Sequence, residues 1–210
     1  VHFTNGNGID DKTAKLKLIA FHASINNEPI NLSWEIIGLK NPLISLSVDG
    51  NIPLNAVHNF LGINVTEGSG WIEVARLTLN GRLLDMTTMD GIPRVKLDGL
   101  INFNQAYLLV NNITTNIKSG SLALKNNVFN VTDIAIKTDE SDFVLNGIFH
   151  NVLPVLLTDS LNSNKAKLTF EASLTASKIN VDELLAIGSR HSAQEIEDAA
   201  VADKDSLTME

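Results

Sequence analysis

Residues 167–188 read KLTFEASLTASKINVDELLAIG, and their pattern changes from strand to helix part-way along. Between Leu168 and Thr175 apolar and polar residues alternate strictly, which predicts a strand with one apolar and one polar face. Asn180 is placed to cap a following helix, and Glu183 completes a capping box with it. The stretch therefore predicts a one-faced strand that leads into a two-turn helix, which can fold over the end of a sheet.

The same order of strand, glycine and apolar helical turn occurs twice more, in weaker form. It appears in LSVDGNIPLNAVHNFLG (46–62) and, more loosely, in FVLNGIFHNVLPVLL (143–157). An internal duplication and a recurrent strand-to-helix architecture both explain the repetition. Either way, the pattern predicts two or three short helices in a chain that otherwise consists of strands.

The other strands are predicted from alternation between apolar and polar residues. The clearest cases are INLSWEI (30–36), LISLSVDG (43–50) and VKLDGLINF (95–103). In 15–25 and 71–81 the alternation changes phase within the run, which is the mark of a β-bulge. Short turns between these runs favour an antiparallel meander of about ten to twelve strands.

The chain divides into three parts by composition. Residues 1–11 are rich in turn-forming residues and are predicted to be a loop at the start of a fragment. Residues 12–188 carry the strands, with a predicted connection at 63–70 and a break containing proline and glycine at 85–94. Residues 189–210 are acidic and poor in aliphatic side chains, so we expect a linker or a marginal helix there.

Composition and charge exclude several classes of protein. The chain has 210 residues, 44% of them hydrophobic, a net charge of −8 and no cysteine. Wholesale disorder, a disulfide framework and thiolate metal sites are therefore excluded, and no nucleic-acid partner is expected, since that would need clustered cations. The five histidines are scattered, and neither a nucleophile elbow nor a phosphate-binding loop occurs. We predict no catalytic residue, metal or cofactor.

The one-faced strands pose a physical problem, because their apolar side must be covered. Three helices of two turns are too small to cover a sheet of about ten strands, which measures roughly 45–50 Å across. Two solutions remain: a closed β-sandwich with side chains filling its core, or a long sheet curled into an open hydrophobic groove that holds a ligand. Alternation does not separate them, although packing considerations alone favour the sandwich. The aliphatic lining would suit lipid acyl chains.

Two segments resemble the AsmA-like family of Gram-negative envelope proteins, which is related to TamB and to bridge-like lipid transfer proteins. They are NEPINLSWEIIGLKNPLISLSVDGNIPL (27–54), with a strand, an asparagine–proline turn and a strand ending in glycine, and FEASLTASKINVDELLA (170–186), which resembles the end of an AsmA module. The resemblance covers most of residues 12–188. It implies a mainly β fold, with a long twisted antiparallel sheet curled into an open hydrophobic groove.

The resemblance also implies a function and a location. The chain would be a non-enzymatic, lipid-shielding module of a periplasmic protein, whose parent is anchored in the inner membrane by an N-terminal helix absent from this fragment. Its partners would be phospholipid acyl chains and neighbouring β-groove modules of the same parent, and its role phospholipid transport between inner and outer membrane in outer-membrane biogenesis. A closed sandwich with a structural or protein-binding role on a surface or secreted protein is the alternative. The expected groove lining comprises Ile30, Leu32, Trp34, Ile36, Ile44, Leu46, Val48, Val95, Leu97, Ile101, Phe103, Leu122, Leu124, Leu168, Phe170 and Leu174.

Overall fold

A single antiparallel sheet forms most of the described part of the chain, and the ten strands described there follow one another in sequence order. The computed structural model describes residues 1–4, 12–25, 27–57, 65–157 and 167–188. The strands of these residues are β1 (His2–Thr4), β2 (Lys15–Ile25), β3 (Glu28–Ile37), β4 (Leu43–Pro53), β5 (Val65–Arg82), β6 (Lys96–Val110), β7 (Ile113–Lys125), β8 (Val128–Lys137), β9 (Asp142–His150) and β10 (Thr169–Lys178).

Short helical segments lie at the two ends of the strands. The strand-to-helix units of the sequence contain α1 (Leu54–Val57), α3 (Val152–Leu157) and α4 (Val181–Gly188), as predicted. The sequence did not predict α2 (Leu83–Met86), which overlaps the segment 85–94 interpreted as a break, nor the 3-10 helix Ile92–Arg94 within that segment. No helix in the described part of the chain is long and apolar enough to cross a membrane.

The connections group at two opposite ends of the sheet, because successive strands run in opposite directions. We call one the α3 end; its described connections are 12–14, 38–42, 83–95, 126–127, 151–157 and 167–168. The other, the acidic end, comprises 27, 54–57, 111–112, 138–141 and 179–188. Helices therefore border the sheet at both ends of its strands.

Both predicted changes of phase are β-bulges. The β2–β3 register shifts between Leu18 and Phe21, and the β5–β6 register shifts between Ala75 and Thr78. Arg76 takes a left-handed conformation at the second bulge (φ 47°), and its N–H is bound by the Asp49 carboxylate at 3.1 Å. Because the bulge absorbs the extra residue, hydrogen bonding continues on both sides of it.

The longest strands extend beyond their predicted bounds, because bulges let the pairing continue where the alternation is interrupted. The predicted connection 63–70 is wrong over residues 65–70, which form the first part of the 18-residue β5. Val65 there pairs with Val110. Likewise residues 96–103 of the alternating run 95–103 form one strand with residues 104–110, the strand β6, because a left-handed residue at Gln105 (φ 51°) lets pairing continue through a bulge.

The sheet is open, so the closed-sandwich alternative is wrong. In the described residues β1 and β10 pair on one side only, and they are not joined to each other. Every residue of β10 is exposed to solvent. The architecture is a long twisted antiparallel sheet whose apolar face forms an open groove, as the groove hypothesis predicted.

A compact core covers part of the apolar face at the α3 end. Its buried members are Ile92 and Val95 from the 3-10 helix and its exit, Leu124 and Phe129 from β7 and β8, and Leu153 from α3. Met86 and Met89 pack against this cluster from the unpredicted segment. Protein side chains thus cover the α3 end of the groove from β5 to β9.

Candidate functional site: the apolar face of the sheet

The ladder registers place the predicted apolar residues in continuous rows on one face. In an antiparallel pair directly opposed residues point to the same side. The pairs between β3 and β4 are Leu32–Val48, Trp34–Leu46 and Ile36–Ile44, and Ile30 faces Gly50. The rows extend outward on both sides, to Phe21 and Leu18 of β2 and to Leu77 and Leu79 of β5.

The same rows continue to the far edge of the sheet. Ile101 of β6 pairs with Leu122 of β7, and Leu122 pairs with Val131 of β8. At the edge, Phe149 of β9 pairs with Phe170 of β10, and their rings stack with centroids 5.6 Å apart. The predicted lining residues in strands therefore share one face from β3 to β10, and Val95 and Leu168 continue the same alternation just before β6 and β10.

Charged side chains are almost absent from these rows. Along the paired registers from β2 to β10, the one ionisable residue in an apolar row is Glu28, at the first position of β3. Its carboxylate accepts a hydrogen bond from the Asn51 amide at 2.9 Å. A nearly uncharged aliphatic and aromatic surface thus runs from β2 to β10, over about 38 Å at the usual spacing between strands.

The lining residues differ in how accessible they are. Val95 and Leu124 belong to the core cluster and are only 1% and 6% exposed, so they contact protein and not a ligand. Leu97, Ile101 and Leu122 pack against that cluster and are partly buried. The lining residues of β3 and β4 are also partly buried, whereas Leu168, Phe170 and Leu174 are 40%, 58% and 43% exposed. The accessible parts of the face are therefore β2–β4 and the β10 edge.

Sequence analysis missed apolar side chains between these two parts. Phe129, Val131 and Ile134 of β8 and Phe143 of β9 lie in the same rows and are buried. The alternation of apolar and polar residues in β8 and β9 was the signal from which these lining residues could have been predicted. In β8 a bulge between Val131 and Ile134, with a left-handed Asp133 (φ 48°), interrupts the period.

Glycines in the apolar rows let neighbouring backbones approach closely. Gly120 has φ +128°, and a Cβ built on it would lie 2.5 Å from the Ile134 Cα. Phe103 is its partner on β6, so an aromatic ring faces a residue without a side chain. A glycine at such a position permits a bend that other residues resist. The buried residues Val74, Leu124, Phe129, Val131, Ile134 and Phe143 all lie in the apolar rows, as expected for a sheet that curls toward this face.

The opposite face carries a network of polar side chains. The Asn80 amide donates to the Ser45 hydroxyl at 2.7 Å, and the Asn102 amide donates to Glu73 at 3.0 Å. Lys15 and Lys17 both pair with Glu35, at 2.7 and 3.4 Å. The hydrogen bond from Lys15 is the main reason that the pKa of Glu35 lies below its ordinary value. The two faces thus differ sharply in polarity.

Helix α4 is held at the acidic end by a buried carboxylate. Glu183 is 9% exposed and accepts hydrogen bonds from Thr138 Oγ1, Ser141 Oγ and the Glu140 N–H, at 2.5, 2.6 and 3.0 Å. Burial raises its pKa, but these hydrogen bonds outweigh burial, so the net pKa is lowered. Asn180 caps the Glu183 N–H at 3.2 Å, as predicted.

The second hydrogen bond of the predicted capping box, from the Asn180 N–H to the Glu183 side chain, is not formed, so this part of the prediction is wrong. The Asn180 N–H donates to Ser141 Oγ at 3.0 Å and not to Glu183. Glu183 is already occupied by the turn between β8 and β9, where two hydroxyls and an N–H converge on it. The side chain therefore links the helix to the sheet.

No group of three or more histidine, cysteine, aspartate or glutamate residues in the described parts of the chain is placed to hold a metal ion. Comparison with known proteins found no matching family model, no matching curated protein and no matching solved structure. A continuous apolar face beside a polar one can shield hydrocarbon from water.

Proposed function

We propose that the protein is a non-enzymatic module that shields phospholipid acyl chains in an open groove. The observation that carries the proposal is the nearly uncharged apolar face that runs from β2 to β10 and stays partly exposed on β2–β4 and β10. A 16-carbon chain exposes about 16 methylenes to water, at roughly 0.8 kcal/mol each, or about 13 kcal/mol in all. An apolar groove removes much of this cost.

The wider setting follows the resemblance to AsmA-like proteins. The parent would be anchored in the inner membrane and project into the periplasm, where neighbouring β-groove modules of the same chain would continue the path for lipid. Its role would be phospholipid movement between inner and outer membrane during outer-membrane biogenesis. Among the described residues β1 and β10 each pair on one side only, which supports this arrangement, because an unpaired edge can accept a further strand.

The test compares two adjacent residues of β4 that point to opposite faces. Leu46 lies between Trp34 and Leu79 in an apolar row, and Ser47 lies between Ser33 and Thr78 in a polar row. We expect Leu46→Asp to reduce the phospholipid that copurifies with the full-length protein at least tenfold, because a carboxylate would enter the hydrocarbon path. Ser47→Asp should leave the amount unchanged. Mass spectrometry of extracted lipid measures both.

Folding must be checked for each variant, by circular dichroism and thermal denaturation. If Leu46→Asp does not fold, Leu46→Asn serves as the second variant, since an amide is polar but carries no charge. Equal lipid content in the folded apolar-face and polar-face variants would contradict the proposal. Absence of lipid from the unmodified protein would contradict it as well.

A further inference from the structure

A polar cavity lies on the face of the sheet opposite the groove, toward the acidic end. Its volume is about 550 Å³, and strands β3 to β6 supply its lining residues: Glu28, Asn51, Gly70, Trp71, Glu73, Asn102, Asn104 and Gln105. This volume falls within the range of about 300–1,000 Å³ that is usual for small-molecule sites. The cavity is therefore large enough to hold a small ligand outside the proposed lipid path.

The ladder registers place the lining side chains in two neighbouring rows of the polar face. Asn51 is paired with Glu73, and Glu73 is paired with Asn102. In the next row, Trp71 is paired with Asn104. Because paired residues point to the same side of an antiparallel sheet, the indole of Trp71 lies beside amides and carboxylates and not in the apolar rows.

A β-bulge lies at the same place. Gly70 and Gln105 both take left-handed conformations, with φ of 83° and 51°, where the β5–β6 register shifts between Ser69 and Trp71. A Cβ on Gly70 would collide with the Gln105 carbonyl, so a glycine is needed for the two backbones to lie this close. The bulge redirects the side chains next to it, and the exposed Asn104 and Gln105 line the cavity together with Trp71.

Amides are the commonest groups in the lining, since four of its eight residues carry one. Two of these amides are held by carboxylates: Asn51 donates to Glu28 at 2.9 Å, and Asn102 donates to Glu73 at 3.0 Å. Each bond uses one of the two N–H groups of the amide. An amide both donates and accepts hydrogen bonds, and so does a hydroxyl group. A set of oriented amides therefore matches a ligand that carries several hydroxyls.

The indole and the charge of the lining narrow the class of ligand. The face of an indole carries partial negative charge and attracts C–H groups, which line the flat side of a sugar ring. Trp71 is half-buried, so part of its ring remains accessible. The described lining contains two carboxylates and no lysine or arginine, which disfavours phosphorylated and acidic ligands.

We propose that this cavity binds a neutral saccharide, with Trp71 against the flat side of a sugar ring and the amides bound to its hydroxyls. An organic cation would fit less well, because a single aromatic ring lines the described cavity and both carboxylates already bind amides. The proposal concerns the polar face of the sheet. It goes beyond lipid shielding and does not depend on it.

Calorimetric titration of the full-length protein with defined probes tests the proposal. The neutral probes are maltotriose, mannotriose and triacetylchitotriose, the acidic probe is trigalacturonic acid, and the cationic probe is spermidine. We expect at least one neutral trisaccharide to bind with a Kd of about 1 mM or tighter and to bind equally well at high salt, and the two charged probes to bind more weakly. Absence of binding by all three neutral probes at about 10 mM would overturn the proposal. Tightest binding by spermidine, weakened by salt, would assign the cavity to an organic cation and overturn it as well.

Two variants locate the binding in the cavity. Trp71→Ala should weaken binding of the neutral trisaccharide by at least tenfold, because it removes the surface against which the ring packs. Asn104→Ala should weaken it by about threefold to tenfold, the factor that one hydrogen bond contributes. Asn104 is exposed, so its replacement serves as the test if Trp71→Ala does not fold.

Asn80 provides the matched control. It is an exposed asparagine of β5 on the same face, it lies outside the cavity, and its amide binds Ser45. Asn80→Ala should bind the trisaccharide as the unmodified protein does. Equal losses in Asn80→Ala and Asn104→Ala, or unchanged binding by folded Trp71→Ala protein, would overturn the proposal.

Phospholipid content of the same variants separates this proposal from lipid shielding in the groove. Trp71→Ala should lose the saccharide and retain copurified phospholipid, because the cavity and the groove lie on opposite faces of the sheet. Loss of lipid from Leu46→Asp with unchanged saccharide binding is the complementary result. Loss of phospholipid together with the saccharide in folded Trp71→Ala protein would contradict a separate saccharide site.

Discussion

Replacing Glu183 by alanine is expected to release helix α4 from the turn between β8 and β9. The carboxylate accepts hydrogen bonds from two hydroxyls and one N–H, and its partners Thr138 and Ser141 are 5% and 3% exposed. The alanine variant leaves all three donors without this acceptor. Among the described residues within α4, Glu183 is the one whose side chain binds this turn. Its loss should therefore loosen the helix before it affects the sheet.

The size of the effect follows from the number and kind of hydrogen bonds. A hydrogen bond to a charged group contributes roughly 1.5–3 kcal/mol, and a buried donor left without a partner costs about 1–3 kcal/mol. Water can reach the turn once α4 moves, so we expect Glu183→Ala to lower the free energy of unfolding by about 3 kcal/mol and not by the full sum. Glu183→Gln should cost about half as much, because neutral hydrogen bonds are weaker.

Asp182 provides the control, since it lies in the same first turn of α4 and is exposed. Asp182→Ala should cost only about 0.3–1 kcal/mol through the helix dipole. Urea denaturation measures the free energies, and hydrogen exchange at 138–141 and 181–187 locates the change. If Glu183→Ala and Asp182→Ala lose the same small amount and exchange in α4 is unchanged, the proposed link is refuted.

The pH dependence gives an independent check on the same residue. The folded-state pKa of Glu183 lies below the ordinary value of 4.5, because hydrogen bonds to the carboxylate outweigh its burial. Its stabilisation is therefore complete above pH 4.5 and is lost as the pH falls through the lowered pKa. Exchange protection of α4 should follow that loss in the unmodified protein. Glu183→Gln should remove this component.

Two further stability predictions distinguish the bent sheet and the core from the open edge. Gly120→Ala should lower the free energy of unfolding, measured in urea, by at least about 2 kcal/mol. The added Cβ would lie 2.5 Å from the Ile134 Cα, and the residue has a positive φ that alanine adopts with strain. An unchanged free energy of unfolding would contradict the close approach of the two backbones. Val95 is 1% exposed and Phe170 is 58% exposed, so Val95→Ala should lower the free energy of unfolding by about 2 kcal/mol and Phe170→Ala by less than about 1 kcal/mol. Thermal denaturation compares the two variants. A larger loss of stability in Phe170→Ala would contradict the assignment of Val95 to the core and of Phe170 to the open edge.

The face of each strand was predictable from the sequence because alternation is a local property. Ile30, Trp34 and Leu46 were placed on one apolar side by period alone, and the registers agree. The bulges in β2 and β5 were visible for the same reason, since an inserted residue reverses the alternation. What alternation cannot encode is whether a second layer covers that side. The choice between sandwich and groove therefore needed the structure.

The core at the α3 end was missed because its parts are distant in sequence. Met86, Met89 and Ile92 have neither helical nor strand periodicity over a useful length, and their apolar character gains meaning only against β6–β8. Val95 looked like a lining residue because it continues the alternation of β6, yet the 3-10 helix before it makes it a core residue. The local pattern predicted the face of the sheet on which Val95 lies, but it could not predict which residues contact Val95.

The groove itself is tested most directly by photo-crosslinking in cells. A photoreactive side chain would replace Leu32, in an apolar row opposite Val48, or Ser33, in a polar row opposite Ser47, in the full-length protein. Mass spectrometry would then identify the adducts. We predict phospholipid adducts at position 32 and none at position 33. Crosslinks at position 32 that join only residues of the same chain, with no lipid at either position, would show that the apolar face is closed and contradict lipid shielding.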